Sequence, residues 1–254
     1  MRAAIVTGAG RGIGRAMAFE LSNLGYAVAL ASRTESELLQ TRDRIVDGGG
    51  RAIAVPCDVT HEGAVQVLVD LCRDELGPIH AVVAAAGQAK SAPLEKTTEL
   101  DFRSLYDANV LSVFHLVKAS TRRMIEDGTE GRVVVIASTA AHKGFKYTTA
   151  YTASKHAVLG FVRAAALELA RRRITINAIC PGWVDTAMFD ATVENIAVKT
   201  GVTRDEARRR IVAEIPLGSV LSAEEVAAAI RPFLADEGAK ITGQAFVIDG
   251  GETL

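Results

Sequence analysis

The sequence predicts a doubly wound α/β fold, a parallel sheet of about seven strands with helices on both faces, and three observations support it. Short runs of β-branched or small apolar residues alternate with longer helical patterns from one end of the 254-residue chain to the other. The short runs are continuously apolar, as expected of strands covered by helices on both sides. The first of them leads directly into a glycine-rich turn, TGAGRGIG from Thr7 to Gly14, that opens a helix.

Taken in order, the run AAIVT makes Ala3 to Thr7 the first strand, and the turn glycines start a helix over Gly12 to Leu24. A second strand, Ala27 to Ala31, precedes a helix over Glu35 to Asp47, and a third, Ala52 to Cys57, precedes one over Glu62 to Leu76. Ala81 to Ala85 is the fourth strand, followed by a long helical pattern over Glu99 to Glu126. The run RVVVIAS makes Arg132 to Ser138 the fifth strand, and Ala150 to Ala170 is helical. Thr175 to Cys180 and Ala245 to Asp249 are the last two strands, separated by a helix over Ala223 to Ala235. One region interrupts the alternation: from Asp185 to Glu214 there are helical pieces near Thr192 to Lys199 and Arg204 to Ala213 with no strand between them. Residues 185–215 are expected to form a substrate lid, with Gly182, Gly201 and Gly218 as hinges; the alternative is a fixed helical pair on the sheet.

No Pro/Ser-rich linker, charge block or repeat divides the chain, so residues 1–254 read as one domain. With 29 Lys plus Arg against 30 Asp plus Glu, there is no broad electrostatic reason to expect nucleic acid or an acidic membrane as partner. The basic runs Arg171 to Arg173 and Arg208 to Arg210 read as solvated helix ends. Cys57, Cys72 and Cys180 lack metal-ligand spacing, and the five histidines (His61, His80, His115, His142, His156) form no ligand motif, so no metal is expected. The amino terminus enters an apolar strand at once and no apolar run reaches the roughly 20 residues of a membrane span, which fits a cytoplasmic protein.

In a doubly wound fold, ligands bind beyond the carboxyl ends of the strands. Gly8, Gly12 and Gly14, with Gly10 between them, allow a tight turn and leave helix N–H groups free to face a pyrophosphate, although the GxxxGxG spacing also suits a plain strand-to-helix connection. The second strand ends in Ser32 and Arg33 with no acidic residue at its tip. Arg33, with Arg11 in the glycine loop, suits the 2′-phosphate of NADP(H) over NAD(H), unless both arginines are solvated and Glu35 or Glu37 partners Arg33. Asp58 and Val59 either flank an adenine or cap the next helix. Tyr151 and Lys155 in YTASK lie four apart on one helix face, where an ammonium is expected to acidify the phenol for proton transfer near neutral pH. Ser138 precedes Tyr151 by thirteen residues, and a loop of that length brings a strand tip beside the helix.

Together TGAGRGIG, Asn109 in DANVLSVF, Ser138, YTASK and CPGWVDT resemble the short-chain dehydrogenase/reductase family, and the likeness runs from Ala3 to the terminal IDGG. The resemblance implies a Rossmann-like fold and a catalytic tetrad of Asn109, Ser138, Tyr151 and Lys155. Tyr151 would exchange the proton, Ser138 hold the substrate oxygen, Lys155 bind the nicotinamide ribose, and Asn109 link the lysine through water to a proton relay. Cofactor contacts are implied for Gly8, Gly10, Arg11, Gly12, Ile13, Gly14, Ser32, Arg33, Asp58, Val59, Ala86, Gly87, Pro181, Gly182, Val184 and Thr186.

The chain departs from the family where Ala84-Ala85-Ala86-Gly87 replaces Asn-Asn-Ala-Gly, and a loss of local rigidity is expected there. Trp183 is expected to line the substrate pocket or pack the lid. The implied activity is hydride transfer between NADP(H) and a small-molecule ketone or secondary alcohol, nearest to 3-oxoacyl-thioester reductases. The alternatives are an NAD-dependent 3-hydroxyacyl or cyclic-alcohol dehydrogenase, and a non-catalytic NADP(H)-sensing protein. The family also implies a homotetramer or homodimer through the two long helices.

Overall fold

The computed structural model describes residues 2–254. Its elements are β1 Ala3–Thr7, α1 Gly12–Asn23, β2 Ala27–Ser32, α2 Glu35–Asp47, β3 Ala52–Pro56, α3 Glu62–Leu76, β4 Ile79–Ala84, α4 Glu99–Tyr106, α5 Ser112–Glu126 and β5 Arg132–Ile136. They continue with α6 Thr149–Leu169, β6 Thr175–Pro181, α7 Ala187–Thr200, α8 Arg204–Val212, α9 Ala223–Ala228, α10 Arg231–Leu234 and β7 Ala245–Ile248. All seven strands are parallel, in the order β3-β2-β1-β4-β5-β6-β7, which is the expected Rossmann-like arrangement. The strand order reverses at β1, which pairs with β2 on one side and β4 on the other, so Thr7 lies level with Ala31 and with Ala84. That register sets the tips of three strands around one crevice.

Side chains alternate across the sheet, as the two-residue period of a strand requires. In β1, Ala3 and Ile5 join the core packed by Leu68 of α3, Leu116 of α5 and Val158 of α6. Ala4 and Val6 join the opposite core, with Met17 and Leu21 of α1, Leu38 of α2, Val226 of α9 and Phe233 of α10. Both faces of β1 are therefore dry, which explains its unbroken apolar run.

Three expected elements differ. The helix anticipated over residues 99–126 is interrupted by a π-helical turn, Asp107–Leu111, which carries Asn109. The one anticipated over residues 223–235 divides into α9 and α10, the latter with Pro232 in its first turn, where a missing N–H costs nothing. β5 stops at Ile136, two residues before Ser138. Among the described residues no helix is long and apolar enough to cross a membrane, and no group of three or more His, Cys, Asp or Glu could hold a metal ion.

Candidate active site

The glycine turn follows β1 at the strand-order reversal. Gly8 and Gly12 have φ of +68° and +53°, where a side chain is strained. Gly8 also needs to be bare for packing, because an added Cβ would lie 3.0 Å from the Ala85 carbonyl oxygen and the Ala86 nitrogen. At Gly14 the same atom would meet the Gly8 carbonyl oxygen at 2.2 Å. α1 then begins at Arg11 with no side-chain cap and no acidic residue in its first turn. Its first N–H groups and the positive end of its dipole are left for an anion, a donor set that fits a dinucleotide pyrophosphate. Ile13 turns inward and packs against the α1-side core.

Across the crevice, Thr186 Cγ2 lies 3.4 Å from a Cβ placed on Gly12, so the PGWVDT segment forms the facing wall. Pro181 ends β6 opposite Ile248, and the Gly182 N–H donates to the Ile248 carbonyl at 2.9 Å. Val184 bridges to Leu221, and Thr186 Oγ1 donates to the Val184 carbonyl at 3.2 Å. Gly182 is packed tightly, since a Cβ there would lie 2.6 Å from Glu252 Oε2 and 2.9 Å from Asp249 Cβ. Trp183 stacks edge-on against Phe189 of α7, with ring centroids 5.8 Å apart. Phe189, Val193 and Ala197 of α7 form a separate small core with Ala207 and Ile211 of α8, so the two helices of the expected lid are packed together as a pair.

Ser138, Tyr151, Lys155 and Asn109 come together beyond β4 and β5. Ser138 caps the short turn after β5, its Oγ accepting from the Ala140 N–H at 3.1 Å, which leaves its own O–H available to donate. The buried Lys155 ammonium donates to the Ile136 carbonyl at 3.1 Å and sits 5.8 Å from the centroid of the Tyr151 ring. Burial pulls its pKa down to about 8. The expected acidification of Tyr151 is corrected here: burial raises the phenol pKa, and a hydrogen bond with Ser138 offsets only part of the rise.

Asn109 has partners that the sequence did not indicate. Its Oδ1 accepts from the Gln88 N–H at 2.8 Å, and its Nδ2 donates to the Gln88 carbonyl at 2.9 Å and to Ser154 Oγ at 3.0 Å. A Cβ on Gly87 would meet Asn109 Oδ1 at 3.0 Å and Lys155 Nζ at 3.7 Å, so this bare backbone lets the amide and the ammonium approach each other. At Ala84-Ala85-Ala86-Gly87 the exit of β4 is held by the buried Thr7, whose Oγ1 accepts from the N–H groups of Ala85 and Ala86 at 3.2 and 3.3 Å. Sequence reasoning passed over Thr7, Gln88 and Ser154. For Thr7 the available signal was a polar residue closing an otherwise apolar strand. Gln88 and Ser154 carried none.

On the adenosine side, Ser32 ends β2 level with Pro56 of β3, and Arg11 and Arg33 are both exposed. The ion pair on this stretch joins Arg42 to Asp43; Arg33 pairs with neither Glu35 nor Glu37. Asp58 caps the turn ahead of α3, accepting from the Thr60 N–H at 3.0 Å and hydroxyl at 2.8 Å. The Thr60 bonds hold its carboxyl below the usual range, with smaller help from His61 and Arg33. Val59 packs against the α3-side core.

A family model described as short chain dehydrogenase matches residues 2–197. A putative ketoacyl reductase of Streptomyces coelicolor is 34% identical, over 98% of this chain and 95% of its own length. The L-2,3-butanediol dehydrogenase of Corynebacterium glutamicum is also 34% identical, over 98% of each chain. Among solved structures, a variant of actinorhodin polyketide ketoreductase with NADPH superposes with a TM-score of 0.95 at 34% identity, covering 99% of this chain and 97% of that one.

Proposed function

This chain belongs to the short-chain dehydrogenase family, whose members are oxidoreductases of carbonyl and alcohol groups, and we propose that it is an NADP(H)-dependent reductase of a 3-oxoacyl thioester or related ketone. The observation that carries the reading is the meeting of Asn109, Ser138, Tyr151 and Lys155 beside an uncapped glycine-turn helix at the strand-order reversal. The likenesses to ketoacyl reductases and to a ketoreductase with NADPH support the substrate and cofactor classes.

The glycine turn and the PGWVDT wall would hold the cofactor, which would supply hydride. Tyr151 donates the proton to the carbonyl oxygen, and its raised pKa keeps that proton in place at neutral pH. Ser138, whose O–H lies against the Tyr151 phenol, donates to the same substrate oxygen and stabilises the developing charge. Lys155 brings a positive charge beside the phenol and binds the ribose. Asn109 fixes Gln88 and Ser154 around that lysine and completes the proton relay. The α7–α8 pair covers the substrate as a lid.

The test is NADPH oxidation against β-keto esters, acyl-thioester mimics, cyclic ketones and vicinal diketones. Turnover of the thioester mimics above the rest is expected; NADPH binding with no turnover on the whole panel would identify a binding protein instead. The likeness to a butanediol dehydrogenase favours a second reading, an enzyme of small vicinal diols, which a preference for diacetyl over the thioester mimics would support. We place the protein in the cytoplasm and take it to assemble as a homotetramer or homodimer, the assembly because the exposed apolar side chains Phe102 and Tyr106 of α4, with Leu111 of the π-helical turn, border a groove of about 700 Å³.

A further inference from the structure

We propose that Glu37 is a specificity-determining residue at the adenosine ribose, where its carboxylate opposes the two arginines and keeps the site open to NADH as well as NADPH. The inference rests on the cofactor reading given above. Gly10 is buried, and what covers it is Glu37: a Cβ added at Gly10 would lie 2.9 Å from both Glu37 Cβ and Glu37 Oε2, and 3.2 Å from Ser32 Oγ. The carboxylate thus rests on the glycine loop beside the hydroxyl at the tip of β2.

Its position is held by the backbone. Thr41 Oγ1, buried in α2, donates to the Ala9 carbonyl at 3.2 Å and to the Glu37 carbonyl at 3.0 Å. The Ala9 N–H in turn donates to the Ala31 carbonyl of β2 at 3.1 Å. The first turns of α2, the glycine loop and the β2 tip therefore form one fixed unit.

In doubly wound folds the ribose is bound between the glycine turn and the tip of the second strand. A carboxylate there accepts from ribose hydroxyls and repels a 2′-phosphate dianion, whereas guanidiniums do the reverse. This chain has both: Arg11 and Arg33 flank the place on exposed stems, and neither is neutralised by Glu37 in an ion pair. The 2′-phosphate gains from two flexible cations and loses to one anion carried on a fixed backbone, so discrimination is blunted. Sequence inspection of the strand tip alone, which finds no acid, misses the residue because it enters from the third position of the following helix.

Calorimetric titration with 2′,5′-ADP and 5′-AMP separates the contributions without any turnover. Glu37→Gln should tighten 2′,5′-ADP about tenfold, the effect of roughly one removed like charge in a solvated site, while 5′-AMP does not tighten. Equal shifts for both nucleotides, or no tightening of 2′,5′-ADP, would overturn the assignment. Arg33→Ala in the same titration tests the cofactor reading separately. If Arg33→Ala weakens 2′,5′-ADP while Glu37→Gln leaves it unmoved, the role of Glu37 alone is refuted. If neither 2′,5′-ADP nor its arginine dependence is detectable in wild-type protein, the NADP(H) reading itself fails.

Discussion

Tyr151 and Lys155 show how two ionisable groups on one helix face are tuned in opposite directions by the same cause. Withdrawal from water disfavours the charged form of each, so the phenol rises and the ammonium falls, to about 8 for the lysine. Lys155 is thus cationic below that value and loses its charge above it. The kcat/KM for ketone reduction, which reports the free enzyme, should hold steady below pH 8 and decline as pH rises through about 8. A profile flat across that range would show that the lysine charge is not needed. Tyr151→Phe removes the proton donor, and kcat should fall by about 10²- to 10⁴-fold with NADPH still bound, as measured by fluorescence titration. Retained turnover would remove Tyr151 from the mechanism.

Two elements prepare the place where these residues act, and both rely on side chains that satisfy distant backbone. The π-helical turn between α4 and α5 widens the helix enough to aim Asn109 at the Gln88 backbone and at Ser154. At the end of β1, Thr7 accepts two N–H groups from the strand-to-loop exit of β4. Thr7→Val keeps the shape and leaves those donors without an acceptor, a change worth about 1–3 kcal/mol of unfolding free energy by denaturant titration. A loss below a few tenths of a kcal/mol would mean that the bracing lies elsewhere.

For the molecule as a whole, sheet order decides where chemistry is possible. Only at the β1–β4 junction do the following loops part to opposite faces, and the glycine turn, Gly87 and the tetrad gather around that opening. Assembly is the other property at this scale. Phe114 is 38% exposed and meets Phe161 of α6 edge-on, which leaves an aromatic surface spanning the two helices expected to pair with another copy. Light scattering after gel filtration should give two or four times the mass of one chain, and Phe114→Glu should shift it toward the monomer. A monomeric wild-type protein would end that proposal.

The alternation of strands and helices, the glycine turn and the four-residue step from Tyr151 to Lys155 were all legible in the sequence, because each is a local periodicity written in neighbouring residues. The break at residues 107–111 was not legible, since nothing in DANVLSVF distinguishes a π-helical turn from a regular one. The partners of Asn109 lie 21 and 45 residues away, those of Thr7 lie 78 and 79 away, and Glu37 reaches Gly10 across a strand. Hydrogen bonds and burial of this kind arise only when the sheet brings separate segments together. The residue types of the site belonged to the sequence; their protonation, their bracing and the carboxylate beside the ribose were decided by the tertiary structure, because dielectric surroundings and contact distances do not exist until the chain has packed.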